Sequence, residues 1–220
     1  KKQNSVDALN EVREAKKEEI NSATNLSQDE KDKLTKQVDQ IADNAINAIN
    51  GAKDDQAVKD AEDKGIHDIL DVKIPSLDEV KNNAKQAIAD ALESKTKQIN
   101  AATNLDPTTK QDLINQANDI AEKANKNIDK ATSNDAVLKA ADEGVNEINS
   151  INIPSLDSAL EQALNAIQDA LTNKLDEINK ATYLPQSERN ELINQANKTA
   201  EDAVNAVNAA KTNSAVQEAA

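Results

Sequence analysis

Apolar residues recur by threes and fours along almost the whole chain. From Leu156 they run through Ala159, Leu160, Ala163, Leu164, Ile167, Ala170, Leu171 and Leu175 to Ile178. That is the stripe of one amphipathic helix, and its extent predicts a first helix of about 26 residues. A second stripe runs Leu113, Ile114, Ala117, Ile120, Ala121, Ala124, Ile128, and matches Leu34, Val38, Ile41, Ala42, Ala45, Ile46, Ile49 earlier in the chain. A third, shorter one is Ala57, Val58, Ala61, Ile66, Ile69, Leu70, with Ala136, Val137, Ala140, Val145 and Ile148 as its later counterpart. Three helix types therefore alternate in a fixed order.

The order has a fixed step. Ile20-Asn21-Ser22-Ala23-Thr24-Asn25-Leu26 returns as Ile99-Asn100-Ala101-Ala102-Thr103-Asn104-Leu105 and as Ile178-Asn179-Lys180-Ala181-Thr182-Tyr183-Leu184, 79 residues later each time. Ile74-Pro75-Ser76-Leu77-Asp78 against Ile153-Pro154-Ser155-Leu156-Asp157, and Gly65-Ile66 against Gly144-Val145, keep the same offset. An internal period takes precedence over length in setting the domain count. The predicted units are residues 1–75, 76–154 and 155–220, the last truncated in its third helix.

Start signals agree with this division. Ser76-Leu77-Asp78-Glu79 and Ser27-Gln28-Asp29-Glu30 have the form of capping boxes, and Asp106-Pro107 joins an N-cap acceptor to a proline at the first helical position. The segments between helices two and three are short and polar, which forces antiparallel neighbours. Three antiparallel helices with one apolar face each are buried most simply against one another, so the expected fold class is all-α, one three-helix bundle per unit. An odd number of helices delivers the chain to the far end of its bundle, so the units are expected head to tail, as an elongated segmented rod. Pro75 and Pro154 predict a bend or cap, rather than continuous helix, at each handover. By helix rise alone the chain would approach roughly 120 Å, and a scattering profile of a particle near 50 Å would contradict the rod.

Composition narrows what such an array can do. One Tyr and no Phe, Trp, Met or Cys among 220 residues leave Ala, Ile, Leu and Val to fill the core. Aromatic side chains dominate ligand pockets and interface anchors, so their scarcity argues against a deep cleft and a small-molecule substrate. A formal charge of −14 repels phosphate backbones and anionic lipid, which argues against nucleic acid and membrane partners. Without Cys there is no disulfide, thiolate zinc site or Cys nucleophile. No apolar run approaches the roughly 18 to 20 residues of a spanning helix, and any export signal is expected outside these residues.

Candidate chemistry is sparse. His67 is the only histidine and its counterpart is Asn146, so it reads as a surface residue rather than a metal or proton-transfer group. Asp29-Glu30-Lys31-Asp32 and Asp60-Ala61-Glu62-Asp63 lack the spacing that wraps carboxylates around Ca²⁺, and read as helix surface. No catalytic, cofactor-binding or metal residue is therefore assigned, no cofactor is expected, and the chain is not expected to be an enzyme. Gly65 and Gly144 lie inside helix three, where Gly costs about 1 kcal/mol relative to Ala, so their recurrence implies a close helix approach or kink. Leu184-Pro185-Gln186-Ser187-Glu188 has Ser and Glu where a sortase signal needs Thr and Gly, and reads as a turn. Tyr183, replacing Asn25 and Asn104, reads as an exposed turn residue. The helix asparagines Asn44, Asn47, Asn50, Asn205 and Asn208 read as a solvated flank, or else as a hydrogen-bonding face for like molecules.

Asn-Leu-Ser-Gln-Asp-Glu-Lys after Lys-Lys-Glu-Glu-Ile, with Val-Asp-Gln-Ile-Ala-Asp-Asn-Ala-Ile-Asn and Ala-Val-Lys-Asp-Ala-Glu-Asp-Lys-Gly-Ile downstream, carries a family resemblance. The chain resembles the three-helix domain-of-unknown-function repeats of giant Gram-positive cell-wall-anchored surface adhesins, of the staphylococcal extracellular-matrix-binding type. The resemblance covers all 220 residues, and it departs from the pattern at Ile-Pro-Ser-Leu and at Tyr183-Leu184-Pro185. It implies non-catalytic stalk repeats that project an adhesive region, extracellular and anchored to the cell wall through other regions. It also implies partner classes: host extracellular matrix or serum protein, or like repeats on neighbouring cells in aggregation and biofilm.

Overall fold

Nine helices and no strand make up the chain in a computed structural model that describes residues 1–220. They fall into three sets of three: α1 (Lys2–Asn21), α2 (Gln28–Gly51) and α3 (Asp55–Leu70); α4 (Leu77–Ala101), α5 (Pro107–Lys130) and α6 (Asn134–Asn149); α7 (Leu156–Lys180), α8 (Gln186–Ala209) and α9 (Asn213–Ala219). The fold is all-α, as the stripes require. Helices α4 and α7 have 25 residues each, close to the length read from the apolar spacing.

Local signals set the helix starts. The Ser27 hydroxyl accepts from the Glu30 amide at 3.2 Å and the Glu30 carboxylate accepts from the Ser27 amide at 3.4 Å, a complete capping box. Asp106 caps α5 by accepting from the Thr109 amide at 2.7 Å, and Pro107 is the first residue of that helix. At Ser76 only half the expected box forms. Its hydroxyl accepts from the Glu79 amide, but the Glu79 carboxylate lies 2.5 Å from the Lys73 ammonium, because the extended segment before Pro75 brings that cation within reach. Helix stops before both prolines, with residues 72–76 and 151–155 outside any helix.

The chain divides into two compact units, residues 1–89 with 122–145, and residues 90–121 with 146–220. In the first, α1 to α3 close a core of Leu9, Ile20, Val38, Ala42, Ala45, Ile49, Val58, Ile69 and Val72. Burying each large aliphatic side chain of such a core is worth about 1.5–3 kcal/mol, so Leu9, Ile20, Ile49 and Ile69, all fully buried, carry much of it. Ion pairs from Arg13 to Asp43 at 3.0 Å and from Lys17 to Asp39 at 3.1 Å run α1 antiparallel to α2. Gly65 sits where any side chain would meet Ala45 and Leu9: a β-carbon there would lie 2.5 Å from the Ala45 Cβ. Gly144 repeats this, 2.5 Å from Ala124 and 2.7 Å from the tip of Ile88. The close approach expected from the two recurring glycines is thus present, and neither has a left-handed backbone.

In the second unit Ala163, Ile167, Val207 and Val216 form the core that joins α7, α8 and α9. Helix α9 has seven residues against sixteen in α3, and beside it a groove of about 570 Å³ opens between α7 and α8. Ile167, Ile178 and Ala203 line it. Their counterparts two periods earlier, Leu9, Ile20 and Ala45, are covered by α3.

Candidate functional site at the joints between repeats

The residues singled out for chemistry do not converge. His67 is exposed and its Nε2 lies 2.9 Å from Asp71 one turn on. In the acidic cluster of α3, Asp60 accepts from Gln56, Asp63 pairs with Lys59, and Glu62 accepts from the buried Ser5 hydroxyl at 2.6 Å. No group of three or more His, Asp or Glu side chains is placed to hold a metal ion. No helix is long and apolar enough to cross a membrane. Asn44, Asn47, Asn50, Asn205 and Asn208 are all exposed.

What the structure does bring together lies at the joints. The turn between α1 and α2 meets the start of α6 and the Ile-Pro linker. The Asn25 amide nitrogen donates to the Pro75 carbonyl at 2.9 Å and to the Asn134 side-chain oxygen at 2.9 Å. The Asn25 carbonyl accepts from the Asn134 backbone amide at 2.9 Å. Asn134 is the first residue of α6, where a helix leaves its amide without an intrahelical partner. Here the preceding repeat supplies the acceptor.

The same set of bonds recurs one period later. Asn104 donates to the Pro154 carbonyl at 2.9 Å and to the Asn213 side-chain oxygen at 2.9 Å, while its carbonyl accepts from the Asn213 amide at 2.9 Å. In both joints the paired asparagines are 109 residues apart. Asn134 is only 2% exposed, and Leu26 and Leu105 beside the clasps are buried. The second joint adds a bond from the Ser214 hydroxyl to Asp106 at 2.8 Å. The Thr109 amide and then Ser214 hold the Asp106 carboxyl below the ordinary 3.8 of an aspartate, so it faces the joint ionised at neutral pH.

A second recurrent feature stands at the opposite end of helix three. Lys95, 7% exposed, donates to the carbonyls of Asn149 and Ile151 at 3.1 Å each, and Lys16, 8% exposed, donates to Leu70 at 3.3 Å. Each ammonium thus closes a helix C-terminus, the negative end of the helix dipole. The third member of the series, Lys174, is exposed and pairs with Glu177.

Neither the asparagine clasp nor the lysine plug was singled out from sequence. Their one signal was register: Asn25 and Asn104, Asn134 and Asn213, and Lys16 and Lys95 all keep the 79-residue step. Tyr183 is where sequence put it, exposed on a turn.

Comparison with known proteins gives this arrangement its relatives. Residues 1–77, 80–156 and 161–220 each match the model of one family, Domain of Unknown Function (DUF1542). The chain is similar to the extracellular matrix-binding protein ebh of Staphylococcus aureus strain MRSA252, 26% identical over 146 residues, which is 66% of this chain and 1% of that protein. It is likewise similar to extracellular matrix-binding protein EbhA of strain Newman, 29% identical over 167 residues, 74% of this chain and 4% of that one. The chain thus spans a few hundredths of the length of these curated relatives. No solved structure matches it significantly. With three successive matches that cover most of its length, the chain belongs to the DUF1542 family.

Proposed function

We propose that these are non-catalytic spacer repeats of an extracellular, cell-wall-anchored surface protein, with modules at residues 1–75, 76–154 and 155–220 that set the reach of an adhesive region elsewhere. The observation that carries this reading is the repetition of the same asparagine bonds of one joint at two successive positions. A spacer needs each copy to present the same end to the next, whereas the outward faces are free to drift. Those faces do drift: His67 becomes Asn146, while the joint asparagines Asn25 and Asn134 return as Asn104 and Asn213. The relatives' names support an extracellular surface setting.

A second reading is that the helix faces themselves bind host matrix or serum protein, or like repeats on a neighbouring cell. The relatives' description as matrix-binding favours it. Beads coated with the chain separate the two. On the spacer reading they neither clump in suspension nor capture fibronectin, fibrinogen or albumin. Saturable capture, or clumping that free chain competes away, would replace spacing with binding.

A further inference from the structure

Two of the three turns between helices one and two read Thr-Asn-Leu, and the third reads Thr-Tyr-Leu. All three turns keep one backbone bond, with Leu26, Leu105 and Leu184 each donating to the alanine three residues back at 3.1–3.4 Å, and the third adds one from the Thr182 amide to the Lys180 carbonyl at 2.9 Å. The substitution therefore changes what the turn offers to a neighbour, not how the turn folds.

We propose that the residue at positions 25, 104 and 183 decides whether a repeat docks onto the next copy: asparagine makes a docking turn, and tyrosine a free one. The partner surface is the first residue of the next copy's third helix, which Asn25 meets at Asn134 while its second donor holds the Ile-Pro linker of its own module at Pro75. Asn fits because its carboxamide carries two donors at one nitrogen, and both are used, one on the proline carbonyl and one on the partner asparagine. Proline has no N–H, so its carbonyl is the one backbone group it can offer. A phenol has a single O–H on the far edge of a ring and cannot reproduce the paired donation. Asp55, the counterpart of Asn134 and Asn213 in the first copy, keeps an acceptor oxygen and holds Lys1 at 2.7 Å instead. An array built from such repeats then contains stiff joints wherever the turn reads Asn and swivels wherever it reads Tyr.

This deepens the spacer reading and rests on it for biological sense, but the two fail separately, since joint stiffness is measured on the isolated chain. The chain lacks cysteine, so spin labels at Asp112→Cys and Lys198→Cys, both exposed and on either side of the second joint, report on that joint alone. Pulsed dipolar spectroscopy is expected to give one narrow distance distribution for the parent. Asn104→Tyr should at least double its width with helicity unchanged, because the third turn already accommodates Tyr. Asn213→Ala, which leaves the turn intact and removes the receiving amide, should broaden it likewise. Asn118→Ala on the exposed face of α5 should not. A distribution that keeps the parental width in both Asn104→Tyr and Asn213→Ala overturns the proposal.

Discussion

Replacing Gly65 with alanine is expected to destabilise α1 to α3 by about 1–3 kcal/mol, the usual effect of overpacking a filled core. The sign is informative, because the same change in an open helix interior stabilises by up to about 1 kcal/mol. Sterics outweigh propensity here, since the new methyl would lie 2.5 Å from the Ala45 Cβ and 3.0 Å from Leu9. Leu9 can turn its tip aside. Ala45 has no rotamer to change, so α2 and α3 have to move apart and loosen the contacts around Ile49 and Ile69. Gly144→Ala should behave alike, against Ala124 and Ile88. Gly51→Ala is the control: a β-carbon there meets nothing within 4 Å, so it should be neutral or stabilising. Urea unfolding of the three variants, followed by helicity, checks the order. If Gly65→Ala unfolds at the same midpoint as Gly51→Ala, the close approach is not what keeps glycine in helix three.

Lys95→Met should cost about 1–3 kcal/mol, the penalty for leaving buried acceptors without donors. Methionine keeps most of the stem's packing, so the loss isolates the ammonium. Two effects oppose each other. Removing a buried charge relieves its desolvation, which in many ion pairs makes an apolar replacement neutral. Here, however, the partners are backbone carbonyls of Asn149 and Ile151, which stay polar whatever replaces the lysine, at a helix end that favours positive charge. The unsatisfied carbonyls therefore decide the sign. Lys16→Met, which removes one longer carbonyl bond and a 3.7 Å ion pair to the exposed Glu19, should cost less, and Lys174→Met, at an exposed position, close to nothing. A Lys95→Met chain as stable as its parent would mean that water replaces the ammonium without loss.

The helices were legible because their causes are local. Spacing of three and four residues from Leu156 to Ile178, the Ser27–Glu30 box and Asp106-Pro107 are each contained in a few turns of chain, and the structure starts and stops its helices there. The glycines were legible as well, because an unfavourable residue that returns on the same step needs a reason, and the reason is Ala45 and Ala124. The joints were not. Asn25 and Asn134 are 109 residues apart, and all but one of their bonds at the joint go to backbone carbonyls, which every residue possesses and which leave no mark in a sequence. Lys95 escaped for the same reason: a lysine among polar neighbours reads as solvated until the end of helix three is folded over it. Asn44, Asn47 and Asn50 on the helix flanks are exposed, as a solvated flank requires, whereas the asparagines that bond across copies sit in the turns, where they are partly covered. Half of the Ser76 box is lost to a competitor outside the motif, Lys73.

Because each clasp joins a turn in one copy to a helix start in the next at an unvarying separation, deleting or duplicating a whole 79-residue block regenerates the same clasp wherever the new boundary sets an Asn turn before an Asn helix start. Unequal recombination within the coding sequence can therefore lengthen or shorten the protein without remaking a single contact, and array length becomes a quantity that selection adjusts in whole steps.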